Sequence, residues 1–132
     1  MYEVSPDYGM IVQAWNIYAV AVPVVNYFFG IQPEAHKKQV TIAPDMPEGW
    51  DNVSISNVLV GDNNISFTKT TQSKTVTYKV MQRNPEWKVL LSLPIGEAET
   101  LILNGKETAI QSMRGVQFIE LTGLGNVITI QP

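Results

Sequence analysis

The sequence predicts a mainly β protein: one long N-terminal α-helix followed by an antiparallel β-sandwich. Three observations lead there. Residues 13–33, "QAWNIYAVAVPVVNYFFGIQP", carry no charge and repeat their apolar side chains at helical spacing. After Pro33 the period changes to apolar–polar alternation, as in "NVSISNVLV" and "TVTYKVMQ". Turn-forming clusters ("GDNN", "RNPE", "NG", "GLG") then punctuate the chain at short intervals to its end. This divides the chain into a terminal helix within residues 1–33 and a β domain over 34–132.

The helix is expected over residues 10–29. Trp15, Tyr18, Ala19, Val22, Val25 and Phe29 recur at three and four residues and form one stripe. Ile17, Val20, Ala21, Val24 and Phe28 form a second, leaving Gln13, Asn16 and Tyr27 as a narrow polar edge. Gly30 sits where a left-handed stop belongs, Pro33 prevents continuation, and Pro23 removes one backbone bond and predicts a bend. The run is long enough to cross a bilayer, but Gln13, Asn16, Asn26 and Pro23 interrupt it and no Lys or Arg anchors it before Lys37. No membrane span is therefore expected. A helix that is apolar all round is otherwise one buried between two layers of protein, and a single sheet covers only one of its sides.

Each strand has its own signal. "KKQVTIAP" reads as a short strand stopped by Pro44, and "DMPEGW" as a turn-rich link into Trp50. "NVSISNVLV" runs to the "GDNN" turn. "ISFTKTT" and "TVTYKVMQ" pair as a hairpin around "QSK", and "WKVLLSL" follows "RNPE". "ETLILNG" ends in Asn104-Gly105, a strong short-turn pair, and "VQFIELT" and "NVITI" finish the chain. About seven to nine strands over 38–131, mostly antiparallel, make the sandwich.

Composition excludes several functions. Nine Lys plus Arg against 12 Asp plus Glu give a net charge of −3, and no basic patch exists for nucleic acid. Without cysteine there is neither a disulfide nor thiolate chemistry. "MYEVSPDYG" lacks the basic start of a secretory leader, and localisation stays open. No cofactor or metal is expected: His36, the one histidine, stands beside Lys37 with no second ligand at a useful spacing. "GLGN" at 123–126 lacks the helix a phosphate loop needs, and "NGKE" at 104–107 is a hairpin turn. Asn52-Val53-Ser54 and Asn64-Ile65-Ser66 match the glycosylation pattern, which matters only on a eukaryotic secretory route. Trp87 opens an apolar strand and is expected in the core, whereas Trp50, in a polar turn, is the candidate for stacking on a sugar ring. Asp45, Glu48 and Asp51 in the same link read as loop surface.

The stretch "AWNIYAVAVPVVNYFFGIQPEAHKKQVTIAPDMPEGW" resembles the C-terminal region of bacterial six-hairpin (α/α)6 glycosidases, of the α-L-rhamnosidase or glycogen-debranching (amylo-α-1,6-glucosidase-like) kind. The resemblance lies in Trp15 near the helix start, in Gly30-Ile31-Gln32-Pro33 at its end, and in Val40-Thr41-Ile42-Ala43-Pro44 opening the β domain. Gln13-Ala14 stands where the rhamnosidase kind often has a histidine before the tryptophan, which tilts the resemblance slightly towards a debranching-like or uncharacterised relative. The resemblance implies an accessory domain of a glycoside hydrolase. Its helix closes the catalytic barrel, which is its partner, and carbohydrate is met through the parent. It also implies a catalytic base in the loop before the last barrel helix, and Glu3 is the residue here that matches. Alone, the chain is expected to hydrolyse nothing and to self-associate through the uncovered helix stripe. The competing class is a self-contained carbohydrate-binding or protein-interaction module.

Overall fold

The computed structural model describes residues 14–96, 99–113 and 115–132. Among them, eleven strands form two sheets that pair almost wholly antiparallel. One is five-stranded: β1 (Ile31–Glu34), β2 (Gln39–Ile42), β6 (Lys88–Ser92), β10 (Val116–Leu121) and β9 (Gln111–Met113), in that spatial order. The other is six-stranded: β3 (Asn52–Val60), β4 (Asn63–Gln72), β5 (Thr75–Gln82), β11 (Gly125–Gln131), β7 (Thr100–Leu103) and β8 (Lys106–Glu107).

Alternation places the core. Val40 and Ile42, Val89 and Leu91, and Ile119 and Leu121 are buried from the first sheet. Ile65 and Phe67, Tyr78 and Val80, and Ile128 and Ile130 are buried from the second, and all belong to one cluster. Neighbouring strands present these residues in register: Val40 faces Val89 and Ile42 faces Leu91. The Asn104-Gly105 turn has the expected double left-handed geometry, with φ of 50° and 81°.

Two expectations are corrected. The described α-helix, α1, is not long: it spans Ala14–Pro23, ten residues, and continues as a wide π turn over Val24–Phe28. Residues 10–13 of the expected helix lie outside the described residues. The change of pitch follows from Pro23, which has no N–H to give and whose ring crowds the preceding turn. Phe29 then closes the turn by donating to the Val24 carbonyl, five residues back, at 3.0 Å. The strand count also exceeds the expected seven to nine. The extra elements are short: β8 has two residues and β9 three, too few to show alternation. The other is β1, which contains Pro33; Pro is tolerated there because β1 is an edge strand, where a missing donor breaks no ladder. One pairing is parallel, β2 on β6, joining segments far apart in sequence.

The helix joins the sheets at Gly30. Its φ is +62°, and a Cβ there would stand 1.9 Å from the Ala43 carbonyl oxygen. Only glycine lets the chain turn back against β2. Ala43 donates to the Gly30 carbonyl and Asp45 to the Phe28 carbonyl, each at 3.0 Å, which satisfies the helix end. Phe29 is buried edge-on against Phe67, ring centres 6.0 Å apart, and Val24 and Val25 pack on the core. Three side chains here stay bare of the other described residues: Tyr18, 68% exposed, and Val20, 61%, on α1, and Tyr27, 67%, in the π turn.

Candidate functional site

Trp50 is held by the link between β2 and β3. Its N–H donates to the Pro47 carbonyl at 3.2 Å, closing a turn, and its own carbonyl accepts from Lys69 Nζ at 3.2 Å. The next residue, Asp51, accepts from the Thr71 N–H at 2.8 Å, so the start of β3 is clamped to β4. The indole meets Phe28 edge to face, with centres 5.4 Å apart and planes at 75°. It is 39% exposed and lines a shallow depression of about 470 Å³ with Gly49, Asp51, Asn52 and Val53. An aromatic face beside a carboxylate and an amide can stack on a sugar ring and bond its hydroxyls. Two edge-paired aromatics beside an exposed apolar helix can equally seat a protein surface.

Glu3, the expected catalytic base, lies outside the described residues. Asp45, Glu48 and Asp51 are exposed, and no group of His, Asp or Glu able to hold a metal ion forms among the described residues. His36 stands exposed in a 3-10 turn, Ala35–Lys37, between β1 and β2. Beside it the Lys37 ammonium, 2.8 Å from Glu34, holds that carboxyl below its ordinary range.

The feature sequence reasoning missed is a polar network at the end of the molecule away from the helix. Asn63 is 1% exposed, and its Oδ1 accepts from the N–H groups of Asn64, Arg83 and Asn84 at 2.8, 3.1 and 2.9 Å. Its Nδ2 donates to Gln82 Oε1 at 2.9 Å. Gln82 in turn donates to the Trp87 and Gly123 carbonyls at 3.0 and 2.7 Å. Trp87 Nε1 donates to Asp62 Oδ1 at 2.8 Å, and Trp87 is buried as expected. Three turns are thereby tied together with these buried amides satisfied, which is the mark of a structural plug. "DNN" beside "RNPE" was its only signal, because which strands these turns join is not local information.

The comparisons bear on the fold. No protein-family model and no curated protein sequence matches the chain. Solved structures do. The α-L-rhamnosidase of Streptomyces avermitilis, complexed with L-rhamnose, matches over 97% of this chain with a TM-score of 0.66 and 17% identity. That of Dictyoglumus thermophilum matches over 82% with a TM-score of 0.65 and 8% identity. The fold is shared with part of each rhamnosidase. In both cases the match spans only 13% of the rhamnosidase chain.

Proposed function

We propose that this chain is the C-terminal β-sandwich domain of a glycoside hydrolase of the rhamnosidase-like kind, structural rather than catalytic when alone. The observation that carries this reading is the match of 97% of the chain to 13% of a rhamnosidase. The bare flank of α1 and of the π turn after it supports this reading. Tyr18, Val20 and Tyr27 are more than half exposed, and covering each side chain contributes about 1.5–3 kcal/mol. The catalytic barrel is the surface proposed to cover them. The rhamnosidase likeness favours that branch of the resemblance over the debranching one. Glu3, ahead of the helix, is proposed as the base that activates water, opposite an acid supplied by the barrel about 6.5–9.5 Å away.

The test is hydrolysis of p-nitrophenyl α-L-rhamnoside by the full-length protein and by the 132-residue chain. Activity is expected in the first and absent in the second. Glu3→Gln in the full-length protein is expected to slow turnover about 10²–10⁴-fold. Turnover by the short chain contradicts the proposal.

A second reading, a carbohydrate-binding module, is favoured only by Trp50 and its depression. It requires saturable sugar binding at micromolar concentration that Trp50→Ala abolishes; the structural-domain reading expects binding weaker than about millimolar.

A further inference from the structure

A second depression lies on the outer face of the six-stranded sheet, far from Trp50. Between Ile55 and Val58 the pairing of β3 with β4 slips through a β-bulge. Asn57 sits in that bulge with φ of +60°, and its N–H donates to Ser66 Oγ at 3.2 Å. A bulge re-aims a side chain that a regular strand would alternate. Here it brings Asn57 into one shallow pocket of about 290 Å³ with Asn64, Ser66, Met81, Gln82 and Arg83. Asn52 marks the Trp50 end of β3, and Leu59, opposite Asn64, marks this end. Six strand residues lie between the two, seven steps or roughly 20 Å at strand rise.

The chemistry of the pocket is specific. The side-chain amides of Asn57 and Asn64 and the Arg83 guanidinium form no hydrogen bond or ion pair with another described residue, unlike those of the buried Asn63 and Gln82 beside them. Arg83 lies at the turn after β5, where its backbone is pinned by the Asn64 and Asn63 oxygens at 3.0 and 3.1 Å. Met81 forms an apolar wall. Its thioether lies over Gly125, where a Cβ would come within 2.9 Å of Sδ. A guanidinium recognises a planar oxyanion by paired N–H donors. Two primary amides without a partner among the described residues offer donors and acceptors to neighbouring hydroxyls, and a thioether packs on a C–H face.

We propose that this pocket binds a carboxylate-bearing saccharide: the sugar carboxylate on Arg83, ring hydroxyls on Asn57 and Asn64, and the ring face on Met81. The site stands on its own residues and does not depend on the glycosidase reading.

The test is a calorimetric or NMR titration of the folded chain with trigalacturonate, with maltotriose as the neutral sugar and triglutamate as the non-sugar polyanion. Saturable binding of trigalacturonate is expected, with shifts confined to Asn57, Asn64, Met81 and Arg83. Arg83→Gln is expected to weaken it about fivefold or more, the scale of one exposed charge pair plus its hydrogen bonds. Asn57→Gly, which preserves the left-handed backbone and deletes only the amide, is expected to weaken it also, while Trp50→Ala leaves it unchanged. Absence of saturation, equal affinity in the folded Arg83→Gln and Asn57→Gly variants, or equal binding of triglutamate overturns the proposal.

Discussion

The two ends of this molecule are finished to different degrees. At one end Asp62, Asn63, Gln82 and Trp87 form a plug in which the indole N–H and the buried amides have partners. At the other, α1 leads away from the sheets with Tyr18 and Val20 more than half exposed. The Trp87 end is buried and hydrogen-bonded from within this chain. The helix end has apolar surface that this chain's described residues leave uncovered.

Breaking the finished end is expected to have the largest effect. Trp87→Ala removes a side chain that is 2% exposed together with its hydrogen bond to Asp62, which keeps Asn84 Nδ2 as a donor, and should cost about 3–5 kcal/mol by chemical denaturation. Gly30→Ala strikes the joint between the two regions. A left-handed φ costs about 1–2 kcal/mol for a residue with a Cβ, and relieving the clash with Ala43 costs about 1–3 kcal/mol more. Asn63→Ala takes the acceptor from the Asn64 and Asn84 N–H groups, leaves Arg83 only the Asn64 carbonyl, and should cost about 2–3 kcal/mol.

The same operation at the helix end should do almost nothing to the isolated chain. Tyr18→Ser with Tyr27→Ser is expected to change stability by under about 0.5 kcal/mol. Those substitutions should instead reduce self-association, read by sedimentation across micromolar concentrations. Self-association unchanged by them removes the helix flank as the sticky surface. The smallest effect belongs to Glu34. Its carboxyl is held down by Lys37, so what the pair adds is present at neutral pH and lost on acidification through the carboxylate range. Both side chains are substantially exposed, and Glu34→Gln at pH 7 should leave the melting temperature unchanged within error.

How much of this was legible in the sequence follows from how local each feature is. The β4–β5 hairpin, the Asn104-Gly105 turn, the stop at Gly30 and the buried Trp87 are written in neighbouring residues and appear where the pattern puts them. The parallel contact of β2 with β6 is not, because no local period reports which distant strand lies alongside. Strand β1 was hidden by Pro33, which reads as a breaker unless its edge position is known. The helix was over-extended because apolar periodicity persists through Pro23, while the hydrogen-bond ladder does not. Of the two site candidates, Trp50 could be singled out as an aromatic in a polar link. The bulge that brings Asn57 into one pocket with Arg83 could not: the consecutive polar residues Ser56-Asn57 interrupt the alternation, but a local break does not report which distant turn lies alongside.

The proposed function requires that the bare flank of α1 and the π turn after it be covered by the rest of a larger hydrolase. The most direct measurement is thiol labelling of Tyr27→Cys, read at that peptide by mass spectrometry; in the 132-residue chain it is the one thiol. Labelling should be fast in the isolated 132-residue chain at concentrations below self-association, and at least about tenfold slower in the full-length protein. Equal labelling in the two would mean that nothing in the parent covers the helix, and would contradict the claim.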